Sequence, residues 1–181
     1  MELDVRLYRD RIDNFIGQIR SSAPDVAGSF QPKVFTADNL GSVDAQGGEI
    51  QLRWRPIRDL DVSARFARVF LTTNATDKSL KRDIPLSAPR NNWGLLANYQ
   101  LGNGWEASMF VQRSDAQTWL TEGDTTEAFT RVDARVARRW KWQGTEVEAA
   151  LVGQNLGQDY HEFRDTNVFS RRVYGSLSFG W

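Results

Sequence analysis

Apolar and polar residues alternate one by one along most of this chain, a period that sets successive side chains on opposite faces of a β-strand. The clearest run closes the sequence, where Val173, Gly175, Leu177, Phe179 and Trp181 alternate with Arg172, Tyr174, Ser176, Ser178 and Gly180. Seven further runs obey the same rule. Leu3, Val5 and Leu7 oppose Asp4, Arg6 and Tyr8, while Ile50, Leu52 and Trp54 oppose Glu49, Gln51, Arg53 and Arg55. Leu60, Val62, Ala64 and Phe66 face away from Asp61, Ser63 and Arg65. Trp93, Leu95, Ala97, Tyr99 and Leu101 face away from Asn92, Gly94, Asn98 and Gln100, with Leu96 breaking the pattern. Trp105, Ala107, Met109 and Val111 oppose Glu106, Ser108 and Gln112, with Phe110 on the polar side. Val132, Ala134, Val136 and Trp140 oppose Arg131, Asp133, Arg135 and Arg139; Val147, Ala149 and Leu151 oppose Glu146, Glu148 and Gln154. The expected fold is therefore all-β, an antiparallel up-and-down meander of about eight strands.

The connections divide into two kinds. Those at Pro56-Ile57-Arg58-Asp59, Gly102-Asn103-Gly104 and Gln143-Gly144 are short and carry tight-turn chemistry. Those at Ser21–Gln31, Thr72–Ala88, Ser114–Ala128 and Leu156–Ser170 are long, and they alternate with the short ones. In a meander, alternate connections lie at opposite ends, so one rim carries short turns and the other long loops. That asymmetry belongs to transmembrane barrels of the outer-membrane type. Trp54, Trp105, Trp140 and Trp142 lie near short turns, and Trp181 ends the chain at the same rim. Trp93, Trp119, Phe66, Phe70 and Phe129 lie towards the long loops. Two aromatic belts around a band of smaller apolar residues form the girdles of a lipid-facing surface.

Composition agrees. The 23 Lys and Arg residues balance 23 Asp and Glu, so the basic surplus typical of nucleic-acid binders is missing. A mean hydropathy of -0.52, with no apolar run near the roughly 20 residues of a spanning helix, excludes a helical membrane protein. A barrel survives that test, because half of each strand faces a polar interior. Zero cysteines removes disulfides, thiolate catalysis, zinc ribbons and iron–sulfur ligation together. The start Met1-Glu2-Leu3-Asp4-Val5 has no basic and apolar secretory leader, which fits a cytosolic protein, a mature chain or a fragment.

The charged faces supply the candidate lumen lining: Glu49, Arg53, Arg65, Arg131, Asp133, Arg135, Glu146 and Glu148. On a soluble barrel the same residues would be solvated surface charges. The single His161 reads as a solvated loop residue, since no second His or Cys accompanies it in a metal-ligand pattern. Glu122, Asp124 and Glu127 lack the spacing of a calcium loop and read as loop charges. No phosphate-cradling Gly-rich loop and no Gly-x-Ser-x-Gly occurs, and no catalytic, cofactor or metal residue is assigned. Gly47-Gly48 is expected to form a bulge or bend.

With that architecture, the chain resembles the C-terminal barrel region of TonB-dependent outer-membrane receptors, of siderophore-receptor type. The likeness rests on Asp38-Asn39 and Gly48-Glu49-Ile50-Gln51-Leu52-Arg53-Trp54, on Ser87-Ala88-Pro89-Arg90, on Gln154-Asn155-Leu156-Gly157-Gln158-Asp159-Tyr160, and on Arg171 to Trp181. Gly48 directly precedes Glu49, where the family has an intervening apolar residue, and the chain ends in Trp rather than the usual Phe. The resemblance implies an outer-membrane location and import of an iron–siderophore or similar scarce nutrient, without covalent chemistry. Its implied partners are outer-membrane lipid, the barrel-assembly machinery reading Phe179 and Trp181, and TonB through an N-terminal region absent here. Such receptors have about 22 strands around a plug, so residues 1–181 would be the C-terminal part of one. Two other readings are a self-standing eight-stranded outer-membrane barrel with a structural or adhesive role, and a soluble eight-stranded barrel binding a small apolar ligand.

Overall fold

The computed structural model of the chain describes residues 1–21, 34–120 and 123–180, with side-chain environments for all of these except 17–21 and 34–37. Eight strands make one sheet: β1 (Glu2–Ile12), β2 (Val43–Ile57), β3 (Leu60–Thr73), β4 (Asn91–Gly102), β5 (Trp105–Ser114), β6 (Phe129–Trp142), β7 (Thr145–Gln154) and β8 (Arg172–Gly180). They are the eight runs of alternation, hydrogen-bonded in sequence order as an antiparallel meander. The register keeps the two faces separate over long distances. Leu3, Leu52, Ala64, Leu95, Val111 and Val132 are successive cross-strand partners on the apolar face. The two exceptions to alternation explain each other, since Leu96 and Phe110 are direct partners on the polar face, and the Arg65 guanidinium lies 5.9 Å from the Phe110 ring centre.

Turn chemistry fixes that register. Asn103 and Gly104 have φ of 50° and 78°, and Gln143 and Gly144 have 50° and 84°, the paired positive values of type I′ hairpins that match strand twist. A β-carbon on Gly104 would stand 2.0 Å from the Arg139 carbonyl, so only glycine fits. The pairings beside the turns after β2 and β4 also carry register shifts, between Trp54 and Ile57 and between Gln100 and Gly102.

At the other rim the connections hold structure of their own. The β1–β2 connection contains a hairpin of Ile16–Ser21 with Val34–Asn39, so the expected loop at Ser21–Gln31 begins on a paired strand, and its remainder lies outside the described residues. The β3–β4 connection carries a short helix, Lys78–Asp83, whose N-cap Asp77 accepts a hydrogen bond from the Leu80 amide at 2.9 Å. Two-residue ladders close the β5–β6 connection (Gln117–Thr118 with Thr125–Thr126) and the β7–β8 connection (Tyr160–His161 with Val168–Phe169).

The apolar face is largely exposed, and between β5 and β7 the polar face is the better covered. Leu95, Leu151, Leu177 and Val173 on the apolar face are 40%, 59%, 59% and 61% exposed. The facing carboxylates are better covered, with the Glu106 and Glu148 side chains 15% and 22% exposed. Among the described residues the buried apolar set is Leu40, Ala75, Ile84, Ala137, Val147 and Ala150, half of it in loops. A soluble barrel would bury its Leu, Val and Trp side chains instead.

Two expectations need correction. Gly47 and Gly48 form no bulge, because both stay in regular register, opposite Tyr8 and Leu7 on β1 and Val69 and Arg68 on β3. A β-carbon on Gly47 would stand 2.3 Å from the Arg68 carbonyl and 2.6 Å from the Tyr8 hydroxyl, so glycine is required there, whereas at Gly48 it would meet the movable end of the Leu7 side chain. The aromatic belt at the long-loop rim is also thinner than expected. Trp93 and Phe66 pair on the apolar face, but Trp119 sits in a loop, donating through Nε1 to Thr126 Oγ1 at 2.9 Å. Phe129 stacks on the loop residue Tyr160 at 4.0 Å.

Candidate functional site

The polar face of β5 to β8 is built around a small residue. Ala137 on β6 is 1% exposed, and its cross-strand partners are Glu106 on β5 and Ala150 on β7. Arg135 and Arg139 flank it on the same face, two residues to either side. Over that alanine floor the arginines reach sideways. Arg135 donates to Glu106 Oε1 at 3.1 Å and also to Glu148 Oε1. Arg139 donates through Nε to Glu148 Oε2 at 2.6 Å and lies 3.6 Å from Glu106 Oε2. Each arginine contacts both carboxylates, so four charges cancel across three strands. Gln100 adds a donor to Glu106 at 2.7 Å.

Nearer the loops, Arg131 grips Asp133 with Nη2 to Oδ2 at 2.7 Å and Nε to Oδ1 at 3.0 Å. Asp133 Oδ1 also accepts the Asn155 amide at 2.9 Å. Asn155 is buried with φ 46°, the left-handed conformation that Asn tolerates, and its Nδ2 donates to the Phe169 carbonyl at 2.6 Å. One side chain thus ends β7 and ties the next loop to the sheet.

The two neighbouring loops are clamped together. Asp124 donates its amide to the Phe163 carbonyl at 2.8 Å and accepts the Asp165 amide on Oδ2 at 3.0 Å. His161 is not merely solvated, since its Nε2 lies 3.2 Å from the Thr125 carbonyl and 3.2 Å from Asp165 Oδ1. Between these loops and the strand ends opens a cleft of about 360 Å³, lined among others by Arg113, Phe129, Tyr160 and His161. Burial pushes the Tyr160 hydroxyl above its ordinary pKa, with nearby Arg131 pulling it partly back.

All eight sequence-proposed polar residues fall on one face, but only some meet. Arg135 and Glu148 share the four-charge network, and Arg131 pairs with Asp133. Arg65 lies over Phe110, Arg53 is 3.8 Å from Glu2, Glu49 is the cross-strand partner of Arg6, and Glu146 that of Lys141. Glu106 and Arg139, which alternation also places on the polar face, complete the network, and the register opposite Ala137 brings Glu106 within reach of both arginines. Trp54, Trp105, Trp140 and Trp142 all stand exposed near the short-turn rim. Phe179 lines up with Val147 and Trp140, whereas Trp181 lies outside the described residues.

The family comparison agrees with this geometry. Residues 1–156 match the family described as TonB dependent receptor-like, beta-barrel, and the chain belongs to that family, whose members are bacterial outer-membrane receptors. No curated protein matches the sequence. Among solved structures, the chain is similar to the ferric-catecholate import receptor Fiu from E. coli K12, with TM-score 0.70 and 17% identity over 98% of this chain and 25% of that one. It is similar to the copper transporter OprC (TM-score 0.69, 15% identity, 97% of this chain and 29% of that one). It is also similar to BauA, the ferric preacinetobactin receptor from Acinetobacter baumannii (TM-score 0.65, 17% identity, 98% and 27%). At these identities the likeness is one of fold, and the chain spans little more than a quarter of the length of these neighbours.

Proposed function

We propose that the chain is the C-terminal portion of a receptor barrel that actively imports an iron–siderophore or similar metal chelate across the outer membrane, energised through TonB. The observation that carries this reading is the separation of two faces along one continuous sheet: a largely exposed apolar face suits lipid, and a charged face, ion-paired and covered between β5 and β7, suits a hydrated lumen. On this reading Trp54, Trp105, Trp140, Trp142 and Trp181 mark the membrane interface at the short-turn rim. Phe179 and Trp181 present the assembly signal, and the long loops face the outside. Glu49, Arg53, Arg65, Arg131, Asp133, Arg135, Glu146 and Glu148 line the lumen. The cleft beside Arg113 and Tyr160 contributes to capture of an anionic chelate.

The test is uptake in iron-limited cells. Deleting the gene that encodes the chain should abolish accumulation of at least one radiolabelled ferric chelate, and loss of TonB should do the same. Undiminished uptake of every chelate offered to the deletion strain would sink the proposal.

A further inference from the structure

In the half of the sheet nearer the short turns, one cation stands on the apolar face, whereas Arg68 and Arg113 share that face nearer the long loops. By the parity of β6, Arg138 points with Val136 and Trp140 onto the apolar side, while Arg131, Arg135 and Arg139 point to the polar side. Those three have carboxylate partners. Among the described residues Arg138 has none; its guanidinium lies 5.5 Å over the Trp105 ring, which leaves the N–H edge free. It stands in a groove of about 620 Å³ walled by Trp105, Trp140, Val136 and Leu151, over the small Ala149. An arginine in an apolar band is costly unless it reaches an anion or the interface. Arg138 precedes the strand end at Trp142 by four residues, which is about 10 Å in depth at barrel tilt. On the membrane reading Arg138 therefore lies beside the interface tryptophans Trp105 and Trp140, from where its long side chain can reach a lipid phosphate.

We infer that this groove binds one anionic phospholipid of the leaflet at the short-turn rim, its phosphodiester paired with Arg138 and its acyl chain lying over Ala149 between Trp105 and Trp140. Charge complementarity names the occupant: the groove supplies a single uncompensated cation and an otherwise apolar slot. The inference rests on the membrane reading above, and the test separates the two. The full chain is reconstituted in phosphatidylcholine vesicles containing small fractions of either dibrominated phosphatidylglycerol or dibrominated phosphatidylcholine, and quenching of tryptophan emission is compared.

The wild type should show about a fivefold preference for the phosphatidylglycerol, the size expected of one basic residue at an anionic surface. Arg138→Gln should reduce the preference to unity, while Lys81→Gln, on the exposed loop helix at the opposite rim, should keep it. Equal quenching in the wild type, or an unchanged preference in Arg138→Gln, overturns the site and leaves the membrane reading intact. Absence of quenching by both lipids, in vesicles where circular dichroism and co-flotation show folded, bound protein, overturns the membrane reading itself. If Arg138→Gln loses its sheet signal in circular dichroism, native mass spectrometry of the wild type decides: one retained phosphatidylglycerol per chain supports the site, and none overturns it.

Discussion

Arg135 is the residue on which the polar face turns, because it donates to carboxylates on both neighbouring strands. Its side chain is 27% exposed, so the network is partly shielded from water and stronger than a surface pair. Replacing it with Met leaves Glu106 and Glu148 sharing only Arg139, and should cost about 1–3 kcal/mol. Combining Arg135→Met with Glu148→Gln should cost less than the sum of the two changes. Urea unfolding of vesicle-inserted protein measures this, and strict additivity would show that the two side chains act independently. Tyr160 offers a pH handle at the same scale. Its folded-state pKa is raised, chiefly by burial, so its contribution to stability is fully present below the ordinary value near 10 and is lost as pH rises through the folded value. Absorbance at 295 nm should show a tyrosinate component titrating above pH ~10 that Tyr160→Phe removes. An identical titration curve in the variant would contradict the burial argument.

The eight long strands were legible in the sequence because each shows period-two alternation over enough residues for the pattern to stand out. What escaped has physical reasons. The ladders at Gln117–Thr118 and Tyr160–His161 span two residues each and carry no period, and the six-residue helix at Lys78–Asp83 completes under two turns. Pairing on the polar face depends on register, so Glu106 could be seen as polar but not as the carboxylate that Arg135 and Arg139 share. Arg138 escaped because a single cation does not disturb an otherwise apolar run. Leu96, an apparent fault in the pattern, is the partner of Phe110, and this suggests a test with adjacent residues. Leu95→Arg places a charge on the apolar face near mid-strand and should destabilise vesicle-inserted protein by about 2–4 kcal/mol. Leu96→Arg, one residue on, points to the polar face and should cost about 0.5–1 kcal/mol. Equal costs would mean that the two faces do not see different solvents.

At the scale of the whole molecule the sheet's edges matter most. No pairing among the described residues joins β1 to β8, so the self-closed eight-stranded barrel is not what the chain forms here. Both edge strands are exposed along nearly their whole length. Their unpaired N–H and C=O groups would each cost several kcal/mol in hydrocarbon, so in a membrane they must find other strands. On the proposed reading those strands belong to the same receptor barrel. Deprived of them, the 181-residue chain has another copy of itself as the nearest partner. In detergent, β8 of one copy should then pair with β1 of the next. The absence of cysteine makes this measurable without background. Mixed Val5→Cys and Leu177→Cys chains should form disulfide-linked dimers under mild oxidation, while Leu95→Cys chains, substituted in mid-sheet, should link far more slowly. If mid-sheet positions cross-link as readily as the edges, the chains meet through their apolar faces and the open-edge topology does not govern assembly.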